Sequence, residues 1–402
     1  MFSTRLRWDA KENALAALAR AREDDGDVID LTESNPTCVG LPYPTEAVRA
    51  AFARADAARY VPSPLGLPEA RAAVAAEYAR PDLGPRVDID PARIAITAST
   101  SESYGFLFKL LADPGDAVLV PEPSYPLFEY LARLEGVVPA PYRLAFDGRW
   151  HLDVALVEAA IAAAREAGAR PRALVVVSPN NPTGSFLKRD ELRKLADVSV
   201  RHDLAIISDE VFAGYPFGAD ANRVPVLAAE PALESAVPGF SLGGLSKSCG
   251  FPQLKLGWIV VGGPQAARAL AALELIADTA LSVGTPVQSA LPELLSVGAE
   301  VRAAIRARTA ANLAVLDRRL PAASGCTRLP IEGGWSAIVR VPAIRSDEAW
   351  AAALIADGVI VHPGYFFDLS GGAFLVVSLL PAPDRFADGI DRLVARVAAT
   401  RG

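Results

Sequence analysis

The chain has 402 residues, 51% hydrophobic and 22% charged, enough to bury a large core and to divide into more than one domain. Its net charge of −7, with no basic stripe, argues against nucleic acid as a partner. No apolar run reaches the ~18 residues of a membrane-spanning helix. The opening MFSTRLRWDAKENALAALARARED reads as an extended arm and an amphipathic helix, not as a signal peptide. Cys38, Cys249 and Cys326, like His151, His202 and His362, are far apart. They show no ligand spacing, so no metal site is expected. A reducing cytoplasm is the expected compartment.

Taken in order, the elements alternate. Helices are expected at Val48–Ala57 and Pro68–Tyr78, then a strand at Arg93–Thr97 and a helix at Tyr104–Leu111. A strand at Ala117–Val120, a helix at Tyr125–Leu134 and a strand beginning at Val137–Pro139 follow. Next come a helix at Val154–Ala167, a strand at Leu174–Val177, a helix at Arg189–Arg201 and a strand at Leu204–Ile207. Trp258–Val261 is a further strand. Such alternation predicts an α/β fold, a mostly parallel sheet with helices on both faces. Past about Ala290 the pattern changes to a long helical stretch, Pro292–Arg319, with possible interruptions. Short strands at Ser336–Val341 and Phe374–Ser378 then imply a smaller α+β domain. The expected division is an arm with part of the small domain at 1–45, a large domain at 46–285 and the rest of the small domain at 286–402.

Three segments carry chemistry. Lys247 lies in GGLSKSCGFPQLKLGW, among small and apolar neighbours. A desolvated lysine has a lowered pKa and attacks carbonyls to form a Schiff base. By itself, a lysine beside glycines is more simply a surface loop residue. SPNNPTG, Ser178–Gly184, follows the apolar run ALVVVS, so Asn181 stands at the carboxyl end of a strand, where open α/β sheets bind ligands. An ordinary Asn-Pro turn is the plain alternative. Asp209 falls just past the strand Leu204–Ile207. A carboxylate there is either a helix cap or a partner for a protonated ring nitrogen.

Together and in this order, Asn-Pro-Thr-Gly, Asp-Glu-Val-Phe and Ser-Lys resemble the class I and II aminotransferases, which are fold-type I pyridoxal-phosphate enzymes. The resemblance runs from about Ile29 to the carboxyl terminus. It implies that Lys247 holds the cofactor aldehyde, Asp209 keeps the pyridine nitrogen protonated and Asn181 donates to the ring hydroxyl. It implies a phosphate-binding loop at TASTSES, with Ser99, Thr100 and Ser101 as the candidates. Hydroxyls and free amides at a helix start suit an anion, and a serine-rich N-cap is the simpler reading of the same residues. Ser246 and Lys255 complete the implied phosphate contacts. Tyr125 takes the place of the aromatic ring that stacks on the cofactor. Tyr60, in RYVPSPLG, matches a tyrosine that reaches the phosphate of a neighbouring subunit, which implies a homodimer with shared sites.

Departures from the family pattern bear on specificity. Gly244 stands where a hydroxyl residue is usual, and Ser99 where a glycine is. Lys255 replaces an arginine, giving a point charge in place of a bidentate fork. Phe212 replaces a tyrosine, which removes one donor to the ring hydroxyl and implies a shifted Schiff-base pKa. In Phe374–Ser378 we assign Val377 to the place of the arginine that clamps the substrate α-carboxylate. Either another group binds that carboxylate, with Asn181, the amides near Asn35 and Arg340 as candidates, or the substrate has none there. Ser34 and Asn35, in TESNPT, are candidate substrate contacts or simply a turn. Tyr365, in VHPGYFFD, is expected to shape the substrate entrance, and Phe366 beside it is more simply a hydrophobic wall.

The expected activity is transamination of an amino acid or related amine, with a 2-oxo acid as acceptor and pyridoxal 5′-phosphate as cofactor. A β-eliminating lyase of the C–S type on the same fold is the alternative. A ligand-sensing module built on this fold is the non-enzyme alternative, but such modules are joined to a DNA-binding domain that does not fit within this chain.

Overall fold

Seven short runs, most of them rich in Val, Ile and Leu, form one sheet: β1 (Ile94–Thr97), β2 (Ala117–Glu122), β3 (Val138–Arg143), β4 (Pro171–Val177), β5 (Ala205–Asp209), β6 (Gly239–Gly244) and β7 (Gly257–Gly262). Their order across the sheet is β1-β7-β6-β5-β4-β2-β3. The neighbours from β6 to β3 are parallel, and β7 runs antiparallel to both β1 and β6. The computed structural model describes the chain except residues 1, 7, 9–12, 25–26, 55–58, 321–323 and 402.

Strand residues are buried on both faces because helices cover both, as near-continuous apolar strands require. Leu174, Val176 and Ile206 face one layer with Ile161, Leu192 and Leu195. Val175, Val177 and Ile207 face the other with Tyr104, Phe108 and Ile259. This alternation at period two sends consecutive residues to opposite sides. It decides which side chains at the strand ends meet the site.

A second, antiparallel sheet is built from β8 (Thr327–Arg328), β9 (Ser336–Val341), β10 (His362–Pro363) and β11 (Ala373–Ser378), in the order β8-β9-β11-β10. One face packs under Trp350, Leu354, Phe386 and Ile390 from the helices Asp347–Ala356 and Pro383–Arg401. Near the amino end, Ile29–Asp30 pairs in parallel with Val359–Ile360, joining the arm to the carboxyl-terminal part.

Several expectations are revised. The helix expected from Tyr104 begins at Thr100, so Thr100 and Ser101 are its first turn. The helix expected from Tyr125 begins at Phe128, after Pro126 has ended the preceding loop. The helix expected at Val48–Ala57 spans Thr45–Arg54, and its expected last residues lie outside the described ones. Asp209 is the last residue of β5 rather than a loop residue past it, because its backbone continues the parallel pairing with Val177 and Leu242.

Val377 does not face the site. Cross-strand from Ala337, it is buried in the helix-covered layer with Leu375 and Val339. Strand alternation puts Val376 on the other face, with Ile338, Phe367 and Phe374. Both positions are valine, so this strand end presents no cation on either face.

The expected interruption of the long helix is also absent, and Leu291–Arg319 is continuous. Its one glycine serves an approach, not a break. A Cβ on Gly298 would stand 2.5 Å from Cys249 Cβ and 2.6 Å from Cys249 Sγ, so only glycine lets the helix lie against the segment that follows Lys247. In an exposed helix Gly→Ala gains about 1 kcal/mol. Gly298→Ala is instead expected to lose about 1–3 kcal/mol through overpacking, measured by urea unfolding. A stabilised variant would refute the close contact.

Candidate active site

The carboxyl ends of β4, β5 and β6 lie side by side and deliver Asn181, Asp209 and Lys247. This is the edge at which open α/β sheets bind ligands. Lys247 sits on a single helical turn, Leu245–Ser248, directly after β6. Three bonds fix that turn. The Tyr215 hydroxyl donates to the Lys247 carbonyl at 2.5 Å. Arg302 Nη1 donates to the Ser248 carbonyl at 3.0 Å, and Ser248 Oγ donates to the Gly244 carbonyl at 2.7 Å. The ammonium Nζ is 5.0 Å from the Trp335 ring centroid and 5.7 Å from that of Phe212. These two rings meet edge-on at 5.2 Å. Burial among them lowers the Lys247 pKa, and the charge of Asp209 acts in the opposite direction.

Asp209 is closed in by its neighbours, with part of its surface open toward the site. Burial raises its carboxyl from 3.8 to about 6, against the lowering effects of the Val211 N–H, the Tyr104 hydroxyl and Lys247. The Val211 N–H donates to Oδ1 at 3.2 Å, and the Tyr104 hydroxyl donates to Oδ2 at 3.0 Å. The next residue, Glu210, points to the opposite face. There its Oε1 accepts from the Leu227 N–H at 2.9 Å and from Ser241 Oγ at 2.8 Å.

Asn181 is half-buried, and among the described residues its side-chain amide makes no hydrogen bond. Its neighbour Asn180 builds the turn, with Oδ1 accepting from Thr183 Oγ1 at 2.9 Å. Tyr125 is 45% exposed. Burial and the charge of Asp209 both raise its phenol pKa, which places it on the Asp209 side of the site.

The Ser99–Ser101 segment heads the helix Thr100–Leu111. Ser99 is the N-cap, its Oγ accepting from the Glu102 N–H at 3.2 Å. The simpler reading of that hydroxyl therefore holds, while the first-turn amides of Thr100 and Ser101 head the helix. Gly257 makes room for this loop. A Cβ there would stand 2.9 Å from the Ser99 carbonyl carbon and 3.1 Å from the Thr100 nitrogen. Gly257 pairs with both Thr97 and Gly244, so the loop lies directly beside the strand that carries Lys247. Ser246 is half-buried. Lys255 is exposed in a left-handed turn, at φ 48°.

The other expected site residues are exposed. Tyr60 is 76% exposed and lines a surface cleft with Ser63, Ile96, Phe106 and Gln288, none of which surrounds Lys247. Asn35 is consumed by its own turn. Its Oδ1 accepts from the Thr37 N–H at 3.0 Å and the Thr37 hydroxyl at 2.7 Å, and its N–H donates to Glu33 Oε1 at 2.6 Å. Ser34 beside it is exposed. Arg340 is exposed on β9 with its guanidinium 5.6 Å from the Phe374 ring. The Tyr365 ring packs edge-on against Phe366 at 4.8 Å and is 40% exposed.

Sequence reasoning did not assign Tyr104, Tyr215, Trp335 or Arg302 to the site. Arg302 carried no distinct signal, since AEVRAAIRAR also holds Glu300, Arg306 and Arg308. Trp335 carried one, a large ring after two glycines.

The fold is that of fold-type I aminotransferases. Alanine aminotransferase from Pyrococcus furiosus superposes with a TM-score of 0.83 at 24% identity, covering 99% of this chain and 100% of that one. A mutant aspartate aminotransferase from Thermus thermophilus gives 0.81 at 25% identity, covering 98% and 99%. The model of the family "Aminotransferase class I and II" matches residues 26–385. The chain belongs to this family, whose cofactor is pyridoxal 5′-phosphate. Among curated relatives, the probable aminotransferase TAT1 of Arabidopsis thaliana is 31% identical over 211 residues, 52% of this chain and 44% of TAT1. The S-alkyl-thiohydroximate lyase SUR1 of the same plant is 30% identical over 211 residues, 52% of this chain and 43% of SUR1. Alanine aminotransferase of Mycobacterium tuberculosis is 29% identical over 209 residues, 52% and 46% of the two chains. The matches thus span less than half the length of these curated relatives.

The Asp209 environment has a consequence for the cofactor-free protein. A carboxyl raised from 3.8 to about 6 disfavours the ionised folded state by up to about 3 kcal/mol. The penalty is absent below the unfolded pKa and complete above the folded one, so stability falls as pH rises from about 4 to 6. Asp209→Asn removes the titration. Its stability relative to wild type is expected to improve by up to about 3 kcal/mol between pH 4 and pH 7, measured by urea unfolding without cofactor. A difference independent of pH would contradict the buried carboxyl.

Proposed function

We propose that this chain is a pyridoxal-phosphate-dependent aminotransferase. It moves an amino group between an amino acid or related amine and a 2-oxo acid. The observation that carries the reading is the meeting of a desolvated lysine and a buried carboxylate at the carboxyl edge of one parallel sheet. The donor set fits the cofactor: an amine for its aldehyde, an acid for its ring nitrogen, and helix-head amides beside the Gly257 cradle for its phosphate. Bound pyridoxal phosphate supplies an aldehyde and an electron-accepting ring.

The protein's own groups do the rest. Desolvation gives Lys247 a larger neutral fraction, so it can act as nucleophile and then carry the substrate α-proton as base and acid. Asp209 holds a proton on the ring nitrogen. Asn181 donates to the ring hydroxyl, and Tyr125 covers the ring. The Thr100 and Ser101 amides hold the phosphate, with Ser99, Ser246 and Lys255 around them. Phe212 offers a ring face without a donor. Tyr60 serves the phosphate of the partner subunit in a homodimer, which fits its exposure and its distance from this cluster. Ser34, Asn35, Tyr365 and Arg340 belong to the outer substrate surface; Asn35, with side chain and N–H both engaged, contributes there through shape.

We assign the protein to the cytoplasm. Among the described residues no helix is long and apolar enough to cross a membrane, and no group of His, Cys, Asp and Glu could hold a metal. Residues 1–45 and 286–402 are taken as the small domain and its arm, and 46–285 as the large domain. The parallel pairing of Ile29–Asp30 with Val359–Ile360 supports that division.

A second reading, β-elimination, draws on the similarity to SUR1 and on the apolar end of β11. One experiment separates the two. Purified protein loaded with pyridoxal phosphate is mixed with single amino acids, amines without a carboxylate and cysteine conjugates, and the cofactor absorbance is followed. A transaminase converts the cofactor once and then needs a 2-oxo acid to continue, whereas sustained ammonia and 2-oxo acid release without one would establish a lyase. Lys247→Ala is expected to lose the visible absorbance of the loaded protein and to cut turnover more than about 1000-fold. A wild-type spectrum and rate in that variant would sink both readings.

A further inference from the structure

We propose that Tyr104 is the positioning residue for Asp209, fixing its carboxylate and favouring its ionised form where the cofactor ring nitrogen is to be met. The proposal rests on the reading of Asp209 as the partner of that nitrogen.

Tyr104 is 3% exposed. Its ring is wedged between Phe108, at 5.8 Å, and Phe128, edge-on at 5.5 Å. A phenol hydroxyl in such a wedge is costly unless bonded, and its partner is Asp209 Oδ2 at 3.0 Å. Burial and the charge of Asp209 push the Tyr104 pKa well above the ordinary tyrosine value, so the hydroxyl remains a donor. The Val211 N–H serves the other oxygen. Each carboxylate oxygen thus has one protein donor and a lone pair to spare, which leaves the group oriented and still able to bond a ligand.

The remaining groups around Asp209 do not replace this bond. Lys247 attracts the carboxylate, and burial opposes both. Glu210 feels the charge of Asp209 from the other face. Tyr125 senses it from the open side. Tyr142, near Tyr104, gives its hydroxyl to the Val175 carbonyl at 2.9 Å.

Position on the helix adds a second consequence. Tyr104 lies four residues after Thr100, on the same helix face. One rigid element therefore carries both the phosphate-end amides and the hydroxyl that sets the ring-nitrogen end. The spacing between the two is fixed by a single helical turn.

Tyr104→Phe keeps the ring and removes the hydroxyl. In cofactor-free protein, the carboxyl carbon of Asp209 is followed by 13C NMR against pH and assigned by its loss in Asp209→Asn. The midpoint is expected to rise by about 1 pH unit in Tyr104→Phe. Phe108→Leu, which loosens the same wedge and leaves the hydroxyl, is expected to shift it by less than about 0.3 unit. Pyridoxal-phosphate affinity, measured by fluorescence, is expected to fall about 2-fold in Tyr104→Phe at about pH 7, more at about pH 6, and to recover as pH rises. An unmoved midpoint in Tyr104→Phe, or an equal shift in Phe108→Leu, would overturn the role given to the hydroxyl. Should Asp209→Ala bind the cofactor like wild type, the reading of Asp209 itself fails, and Tyr104 loses its role with it.

Discussion

The whole site depends on keeping one carboxylate ionised where water is scarce. Asp209 ends a strand whose neighbours are buried on both sides, and burial alone would leave it an acid near neutral pH. A neutral acid cannot hold a proton on a ring nitrogen. Everything that opposes burial at this point is therefore functional in the proposed reading: the Val211 N–H, the Tyr104 hydroxyl and the charge of Lys247. The same low-dielectric setting that raises the acid lowers the lysine. The two groups are thus shifted toward each other's range, and a ligand that donates a hydrogen bond to the carboxylate and accepts attack from the amine relieves both.

Placement of the lysine is a separate structural problem, and the long helix Leu291–Arg319 solves it. Gly298 lets that helix touch Cys249. One turn on, Arg302 is fully buried and divides its guanidinium among Glu77 at 2.7 Å, Asp82 at 3.0 Å and the Ser248 carbonyl at 3.0 Å. A buried ion pair is weak evidence for stability, because desolvation offsets much of its attraction. Its value here is directional. A fork that must satisfy two carboxylates and one carbonyl has a single orientation, and the carbonyl it selects is next to the lysine. Tyr215 fixes the Lys247 carbonyl from the opposite side. The backbone is clamped while the side chain stays free among rings, as a group that must change partners requires.

The parts of this arrangement that were legible in the sequence are those fixed locally. Apolar β-branched runs marked every strand of the large sheet except β6, and turn residues marked the ends that bear Asn181 and Lys247. What stayed hidden depends on register and on contacts between distant segments. Asp209 belongs to β5 because Val177 and Leu242 extend the ladder to it, and no local signal reports a partner's length. Val377 was given the site-facing role, but a one-residue offset on a strand exchanges faces, and only the pairing with β9 and β10 shows that Val376 takes the open side. For Asn35 a substrate contact and a turn were both open, because a turn's internal bonds leave no trace in composition. Tyr104 carried no signal of its own, since its partner lies 105 residues away.

The corrected face also changes the problem of substrate recognition. Val376 lies in a layer with Ile338, Phe367 and Phe374, and the Phe367 carbonyl accepts from the Ser124 N–H beside Tyr125. This apolar layer therefore reaches the segment that carries Tyr125. His362 is cross-strand from Val376, and burial lowers its pKa, which favours the neutral ring. Just past that strand end, Arg308 Nη1 donates to the Leu380 carbonyl at 2.9 Å. A carboxylate brought against this apolar layer would lose its hydration, which is unfavourable by several kcal/mol unless a cation pairs with it. A hydrocarbon or aromatic group would lose nothing. The layer around Val376 thus offers apolar surface, while the Asn181 side-chain amide makes no hydrogen bond among the described residues.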